Sequence, residues 1–381
     1  MWTISATCSK TSTNKPVFSQ TDYIHMAHAL QLAERGLYTT SPNPRVGCVI
    51  VRDGAVAGSG WHQQAGQPHA EIHALREAGD AARGATAYVT LEPCSHHGRT
   101  PPCAEALIGA GVARVVVAMQ DPNPQVAGNG LALLQNAGIA TDCGLLEAQA
   151  RELNVGFIKR MVMGHPWLRI KTASSLDGKT ALSSGASKWI TGAPARHDVH
   201  RLRARSCAIL TGIGTVLADD PALNVRDVET TRQPLKVIVD SRLQTPPSAK
   251  LLGGAPTLIA CAEPDARRMA ALEAAGAEIR CLPGDAGRVD LGALLSILAQ
   301  RGINEVMTEA GATLNGALIA TGFVDEWVMY VAPVLLGDTA RGLFALPEPA
   351  QMEARRKLVL RDMRLVGTDM RITAQFEINE A

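Results

Sequence analysis

The sequence predicts two α/β domains in tandem. Three observations carry that reading. A chain of 381 residues is too long for one ordinary core, at about 150 residues per domain. Short apolar runs of strand length alternate with helical-period stretches through both halves, as in a sheet with helices packed on its faces. The string Gly164-His165-Pro166 then interrupts the alternation. The boundary is set there, giving domains 21–164 and 165–381 behind an N-terminal extension, 1–20, expected to be disordered.

Each element has its own justification. Tyr23, Met26, Ala27, Leu30 and Ala33 recur at helical spacing, with Thr21 or Asp22 to cap the start and Gly36 to stop the run. Val46 to Val51 is an apolar strand. His69 to Ala78 follows Pro68 and reads as a helix with proline at or just before its first turn. A strand at Ala87–Leu91, a helix over Cys103–Gly109 and a strand at Arg114–Met119 follow. One more helix and strand lie between Gly130 and Thr141, and a helical stretch from Leu146 to Met161 closes the unit. The second half begins with a strand at Trp167–Thr172 and continues with strands at Ala208–Thr211, Leu235–Asp240, Thr257–Ala260 and Glu305–Thr308. Helices are expected over Ala195–Ala204, Asp265–Ala275 and Leu291–Gln300, and β-type runs at Glu326–Leu336 and Met370–Ile378 finish the chain.

Composition narrows the function. Hydrophobic residues make up 46% and charged residues 19%, a globular balance. Thirty-seven basic against 36 acidic residues leave a net +1, which opposes a surface built for polyanions. Aromatics at 4% weaken any case for stacking nucleic-acid bases. No apolar run reaches the roughly 18 residues of a membrane helix, and Met1 to Gln20 lacks the apolar centre of a secretion signal. The eight cysteines form no dense framework, which favours metal binding or core roles over disulfides. A soluble, cytoplasmic, multidomain protein, with neither nucleic acid nor membrane as partner, is expected.

The strongest chemical signal is His69-Ala70-Glu71, followed by Pro93-Cys94 and then Cys103. Zinc takes imidazole nitrogen and thiolate sulfur, and three protein ligands leave a fourth position for water. Helix starts add positive dipole character beside the thiolates. Glu71, two residues past the histidine, sits beside such a metal and is free to move a proton. The order matches the zinc deaminase signature, H-x-E and then P-C with a second cysteine. Here eight residues, Ser95 to Pro102, separate the cysteines where two are usual. The insert carries His96, His97 and Arg99, either to reach a substrate phosphate or as a solvated loop. Two buried cysteines and a capping histidine are the bland alternative for the triad. Asn43, between Pro42 and Pro44, can read a base edge or simply make a turn; His62 can bind substrate or cap a strand end. His73 reads as a packed helix residue.

The second half is less explicit. It contains no G-x-G-x-x-G, and Gly316 is followed by alanine where a P-loop has lysine. Yet Glu309 to Gly316 lies between a strand and a helix, where backbone amides can hold a pyrophosphate. Ser241-Arg242, just after a strand, offers a seat for a nucleotide 2′-phosphate.

Several long strings identify a family. These are His69-Ala70-Glu71, the run from Leu91-Glu92-Pro93-Cys94 through Pro101-Pro102-Cys103, and Asp121-Pro122-Asn123-Pro124. Lys171 to Lys179, Ser187-Lys188-Trp189-Ile190-Thr191 and Leu217-Ala218-Asp219-Asp220-Pro221 extend them. From Asp22 onward the chain resembles the bifunctional riboflavin-biosynthesis deaminase/reductases. The resemblance implies a cytidine-deaminase-like α/β/α domain at the N-terminus and a dihydrofolate-reductase-like α/β domain using NADPH at the C-terminus. The first would deaminate a diaminopyrimidinone ribosylamine 5′-phosphate, with zinc on His69, Cys94 and Cys103 and Glu71 moving the protons. Asn43, His62, His96 and Arg99 would contact that substrate. The second would reduce the ribosyl group to ribityl. Ala173, Trp189, Thr215, Asp219, Ser241 and the stretch Gly311, Ala312, Thr313, Leu314, Asn315, Gly316 and Ala317 would face NADPH. Ser187, Arg203, Leu223, Arg226 and Glu309 would face the substrate. Lys171 would protonate or polarise the opened sugar, unless it is a surface lysine at a strand end. A homo-oligomer, dimer or tetramer, is the expected assembly. A deaminase of nucleic-acid bases and a protein stapled by structural zinc are the competing readings. Near-neutral charge opposes the first, and the lack of a fourth protein ligand opposes the second.

Overall fold

The computed structural model describes residues 17–95, 102–124 and 126–377, and the chain divides after Gly164 into two compact units. In the first, α1 (Gln20–Glu34), β1 (Gly47–Arg52), β2 (Ala55–Trp61), α2 (Ala70–Ala78) and β3 (Thr86–Val89) are followed by α3 (Cys103–Ala110) and β4 (Arg114–Val117). Then come α4 (Asn129–Asn136), β5 (Ala140–Cys143), α5 (Glu147–Leu153) and α6 (Val155–Met163). The sheet order is β2-β1-β3-β4-β5, with β1 antiparallel to both neighbours and the β3-β4-β5 side parallel.

Helices cover both faces of this sheet. Gly47 and Gly58 reveal how closely they pack. A Cβ on Gly47 would lie 1.9 Å from the Ala29 carbonyl of α1, and one on Gly58 would lie 2.3 Å from the Ala74 carbonyl of α2. Strand side chains alternate between faces, so the two helices press on opposite sides, giving an α/β/α unit. Ser19 caps α1 and makes a reciprocal capping box with Asp22, so the cap lies two residues before Thr21 and three before Asp22, the two expected. The expected helix from Leu146 to Met161 is two helices broken at Asn154. The Asn154 side chain accepts from the Arg45 amide at 2.8 Å and donates to the Arg45 carbonyl at 2.9 Å. That double bond ties the C-terminal end of the unit to the start of β1.

The second unit contains β6 (Trp167–Ser175), β7 (Lys179–Ala181), α7 (Ala193–Arg205), β8 (Ala208–Gly212), α8 (Ile213–Asp219) and β9 (Leu235–Val239). It continues with β10 (Thr257–Cys261), α9 (Ala266–Ala274), β11 (Ala277–Cys281), α10 (Leu291–Gln300), β12 (Glu305–Thr308) and α11 (Ala312–Ala320). The last strands are β13 (Val324–Ala332), β14 (Arg341–Gly342), β15 (Leu358–Val366) and β16 (Asp369–Phe376). A nine-stranded sheet runs β11-β10-β9-β8-β12-β6-β13-β16-β15. It is parallel from β11 to β13, and antiparallel in the last two pairings. Leu258 and Ala260 pack in one core and Ile259 and Cys261 in another, so period-2 alternation buries both faces. In such a sheet, ligands bind beyond the carboxyl ends of the strands.

Candidate active sites

In the first unit, two helix starts and one strand exit converge. His69 is the N-cap of α2, Cys103 is the first residue of α3, and Cys94 follows the end of β3. The Nδ1 of His69 lies 3.6 Å from Cys94 Sγ and 3.3 Å from Cys103 Sγ, and all three donor atoms fall within 4.8 Å of one another. This fits zinc: nitrogen at about 2.0 Å and sulfur at about 2.3 Å in a tetrahedron sit about 3.6 Å apart. Among the described residues, this is the one group of three or more His, Cys, Asp or Glu side chains able to hold a metal. The hydrogen bond from Cys103 holds the Cys94 thiol well below the usual range, and Cys103 is pushed up in return. One proton shared between two sulfurs is what a metal ion replaces.

Glu71 completes the geometry. It is buried on the first turn of α2, and its Oε2 has no hydrogen-bond partner. A buried carboxylate oxygen without a donor is costly unless a ligand or water supplies one. Burial pushes the carboxyl up to about 7, against the lowering effect of the His69 charge. Asn43 and His62 come to the same place. Asn43 Nδ2 is 3.0 Å from His62 Nε2, His62 Nδ1 is 3.1 Å from the Pro68 carbonyl, and the His62 ring lies edge-on to His69 at 5.3 Å. Since a carbonyl only accepts, Nδ1 carries the proton and Nε2 accepts from the Asn43 amide. Burial lowers the His62 pKa and keeps the ring neutral. His96 and Arg99 lie outside the described residues. His73 packs its Cβ toward Gly60, and its Nε2 is buried without a partner.

Sequence reasoning overlooked Glu92. Its two carboxylate oxygens accept four backbone N–H groups: Oε2 from Asp121 and Gly128 at 3.0 Å, and Oε1 from Gly130 at 2.9 Å and Leu131 at 3.2 Å. One side chain, two residues before Cys94, thus anchors the 121–131 segment. Gly130 packs so closely that a Cβ there would lie 2.0 Å from the Pro93 carbonyl. The string Leu91-Glu92-Pro93-Cys94 was the available signal, but a single carboxylate after a strand has no periodicity to announce its partners.

The second unit gathers its polar groups at the carboxyl ends of its parallel strands. Glu309 follows β12 and accepts from Arg203 of α7, at 2.5 Å from Nε and 2.9 Å from the second guanidinium nitrogen. Lys171 of β6 lies 3.7 Å from the same carboxylate. Burial lowers the Lys171 pKa. For Glu309 burial is opposed by the charges of Arg203 and Lys171, which hold it at about 2. Arg203 also donates to the Asn224 carbonyl at 3.0 Å, so its guanidinium is committed to protein partners. Arg226 is freer, with its side chain 3.3 Å from Asn224 Oδ1, and Leu223 is buried beside them.

The residues expected at NADPH divide into two kinds. Gly311 is the exposed N-cap of α11, and Thr313 is exposed in its first turn. Asn315 instead is buried, accepting from Thr308 Oγ1 at 3.0 Å and donating to the Ala310 carbonyl at 2.9 Å, so it holds the loop in shape. Gly316 faces the other way, where a Cβ would lie 2.3 Å from the Ala345 carbonyl. Ala312, Leu314 and Ala317 are half-buried along the same helix. Thr215 and Asp219 lie on α8 after β8, and Ser241 follows β9. Asp219 pairs with Lys188 at 3.5 Å, which brings Ser187 and Trp189 to α8; Arg196 stacks over the exposed Trp189 ring at 4.6 Å. Ala173 sits on β6 opposite Tyr330.

A deaminase-type metal centre on one α/β/α unit and a half-buried Lys–Glu–Arg cluster at the strand ends of a second define a two-domain deaminase–reductase. The comparisons agree. The profile of the cytidine and deoxycytidylate deaminase zinc-binding region matches residues 19–119, and that of the RibD C-terminal domain matches residues 166–372. The riboflavin biosynthesis protein RibD of Escherichia coli is 50% identical, over 92% of this chain and 98% of its own. That of Haemophilus influenzae is 48% identical, over 93% and 98%. Among solved structures, Acinetobacter baumannii RibD superposes with a TM-score of 0.88 at 47% identity, covering 94% of this chain and 99% of that one. A Thermotoga maritima diaminohydroxyphosphoribosylaminopyrimidine deaminase/5-amino-6-(5-phosphoribosylamino)uracil reductase gives 0.84 at 31%, covering 93% and 99%.

The chain belongs to the RibD family, the bifunctional deaminase/reductases of riboflavin biosynthesis. Zinc and NADPH are the cofactors of its two activities. No helix among the described residues is long and apolar enough to cross a membrane.

Proposed function

We propose that residues 21–164 deaminate 2,5-diamino-6-ribosylamino-4(3H)-pyrimidinone 5′-phosphate. Residues 165–381 then reduce the resulting 5-amino-6-(5-phosphoribosylamino)uracil to its ribityl form. The observation that carries this reading is the His69, Cys94 and Cys103 triad with the partnerless Glu71 oxygen beside it. The three donors hold zinc, which when bound lowers the pKa of water from 15.7 to about 7 and supplies the nucleophile. Glu71 would accept one proton from water and give it to the ring nitrogen, then take the remaining hydroxyl proton of the adduct and give it to the departing amine as the carbonyl forms. Its carboxyl, raised by burial, suits both directions of transfer. His62 fixes the Asn43 amide so that its oxygen can accept from the pyrimidine ring. His96 and Arg99, between the two cysteines in the sequence, would contact the substrate.

In the reductase, NADPH supplies the reducing equivalents at the ribose C1. The segment 311–317, with Ala173, Trp189, Thr215, Asp219 and Ser241, forms its seat. Lys171, desolvated beside Glu309, donates the proton that the opened sugar takes up. Arg203 fixes the Glu309 carboxylate that pairs with Lys171, and Ser187, Arg203, Leu223, Arg226 and Glu309 line the substrate side, Arg226 toward its phosphate. The enzyme works in the cytoplasm as a homo-oligomer. Incubating the zinc-loaded protein with the diaminopyrimidinone phosphate should release ammonia, and adding NADPH should yield the ribityl product by mass. Recovery of unchanged substrate in both would refute the reading.

A further inference from the structure

Cys261 ends β10 and Cys281 ends β11, two neighbouring parallel strands in which they are register partners. Neighbouring strands lie about 4.8 Å apart, inside the roughly 4.4–6.8 Å between Cα atoms that a disulfide spans. Register partners in a parallel pair point to the same face, and Ile259 and Ile279 pack together in the core just below them. Cys281 Sγ lies 3.7 Å from the carbonyl of Ala262, the residue after Cys261. Cys281 is exposed whereas Cys261 is fully buried. Of the other free thiols, Cys48 and Cys207 are buried, and Cys94 and Cys103 belong to the metal site.

We propose that Cys261 and Cys281 are a reversible thiol–disulfide pair, a modification site at the carboxyl ends of the reductase strands. The oxidant is a low-molecular-weight disulfide of the glutathione class. The Cys281 thiolate attacks one sulfur of the reagent, whose S–S bond breaks and releases one thiol. Cys261 then attacks Cys281 Sγ, displacing the second thiol and closing the bond between β10 and β11. Two protein thiols become one disulfide, the reagent disulfide becomes two thiols, and the two protons end on those thiols. The division of labour follows from burial. Desolvation and the neighbouring Cys281 push the Cys261 thiol up to about 11, so the exposed partner reacts first and the buried one resolves. The site lies directly before the Ala262 and Glu263 amides, which donate to the Ser241 carbonyl at 3.1 and 2.9 Å.

The test treats the zinc-loaded full chain with oxidised glutathione, blocks remaining thiols, and maps it by tryptic digestion and mass spectrometry. Arg267, Arg268 and Arg280 let trypsin separate the cysteines into peptides joined only by the new bond. The wild type should give the 261–281 cross-link, reversed by dithiothreitol. Cys261→Ser should instead hold a single glutathione on Cys281, and Cys281→Ser should leave Cys261 unmodified. A wild-type protein that retains glutathione on Cys281 without the cross-link, or keeps both thiols free, would overturn the proposal.

Discussion

Glu71 and Cys103 have different parts in the proposed deaminase chemistry, proton transfer and metal binding, and their substitutions should separate the two. Glu71→Gln keeps the shape of the side chain and removes none of the three donor atoms. Zinc content and folding should therefore stay at wild-type levels while ammonia release falls by about 10²–10⁴-fold, the usual worth of general acid–base transfer. Near-normal deamination would remove Glu71 from the role. Cys103→Ala deletes one of three donors, and metal analysis after dialysis should find the zinc gone. Tightly held zinc in that variant would show that the triad is not the metal site. Both residues were legible in the sequence because ligand chemistry imposes order and spacing on residue types. His62 was only half legible. Its partners, Asn43 and the Pro68 carbonyl, are set by the fold, and no local pattern announces them.

At the scale of elements, Asp22 joins α1 to the sheet. It accepts from Tyr88 of β3 at 2.8 Å and pairs with Arg114 of β4 at 2.7 Å. Burial would raise its carboxyl, but the bonds from Arg114, Ser19 and Tyr88 overcome that and hold it at about 2. A depressed carboxyl stabilises the fold above its unfolded value of 3.8 and ceases to do so as pH falls toward 2. Denaturation followed against pH should show a loss of N-terminal-domain stability across that window, and Asp22→Asn should flatten it. An unchanged slope in the variant would mean that the contact is energetically silent. Glu92 does similar work for the 121–131 segment. Glu92→Gln exchanges one acceptor oxygen for a donor and leaves up to two buried N–H groups unpaired, at about 1–3 kcal/mol each. Urea denaturation should record a destabilisation of that size. The elements themselves were largely readable, from β1 through β12, because apolar runs and helical spacing mark them. The strand β2 was missed: Ala55–Trp61 spends Gly58 and Gly60 on close approach to α2 and so lacks an apolar run. The edge strand β15, with Arg361, Asp362 and Arg364 in its middle, hides for a related reason. Its side chains are mostly exposed, and period-2 burial never develops.

At the scale of the molecule, the metal motif lies wholly before Gly164 and every proposed NADPH contact lies after it. Each unit has its own buried core, so a defect in one chemistry need not erase the other. The reactions should also be ordered. The reductase must accept a ring carrying a carbonyl where the amine had been. A donor placed for that oxygen is left unpaired against the amine, at about 1–3 kcal/mol per group, or roughly five- to 150-fold in preference. The most direct test uses Glu71→Gln, which removes deamination and leaves the second unit intact. With the deaminated ribosylaminouracil phosphate, this variant should oxidise NADPH at the wild-type rate. With the original diamino compound, it should oxidise little. Rapid NADPH oxidation on the diamino compound, or none on the deaminated one, would contradict the account.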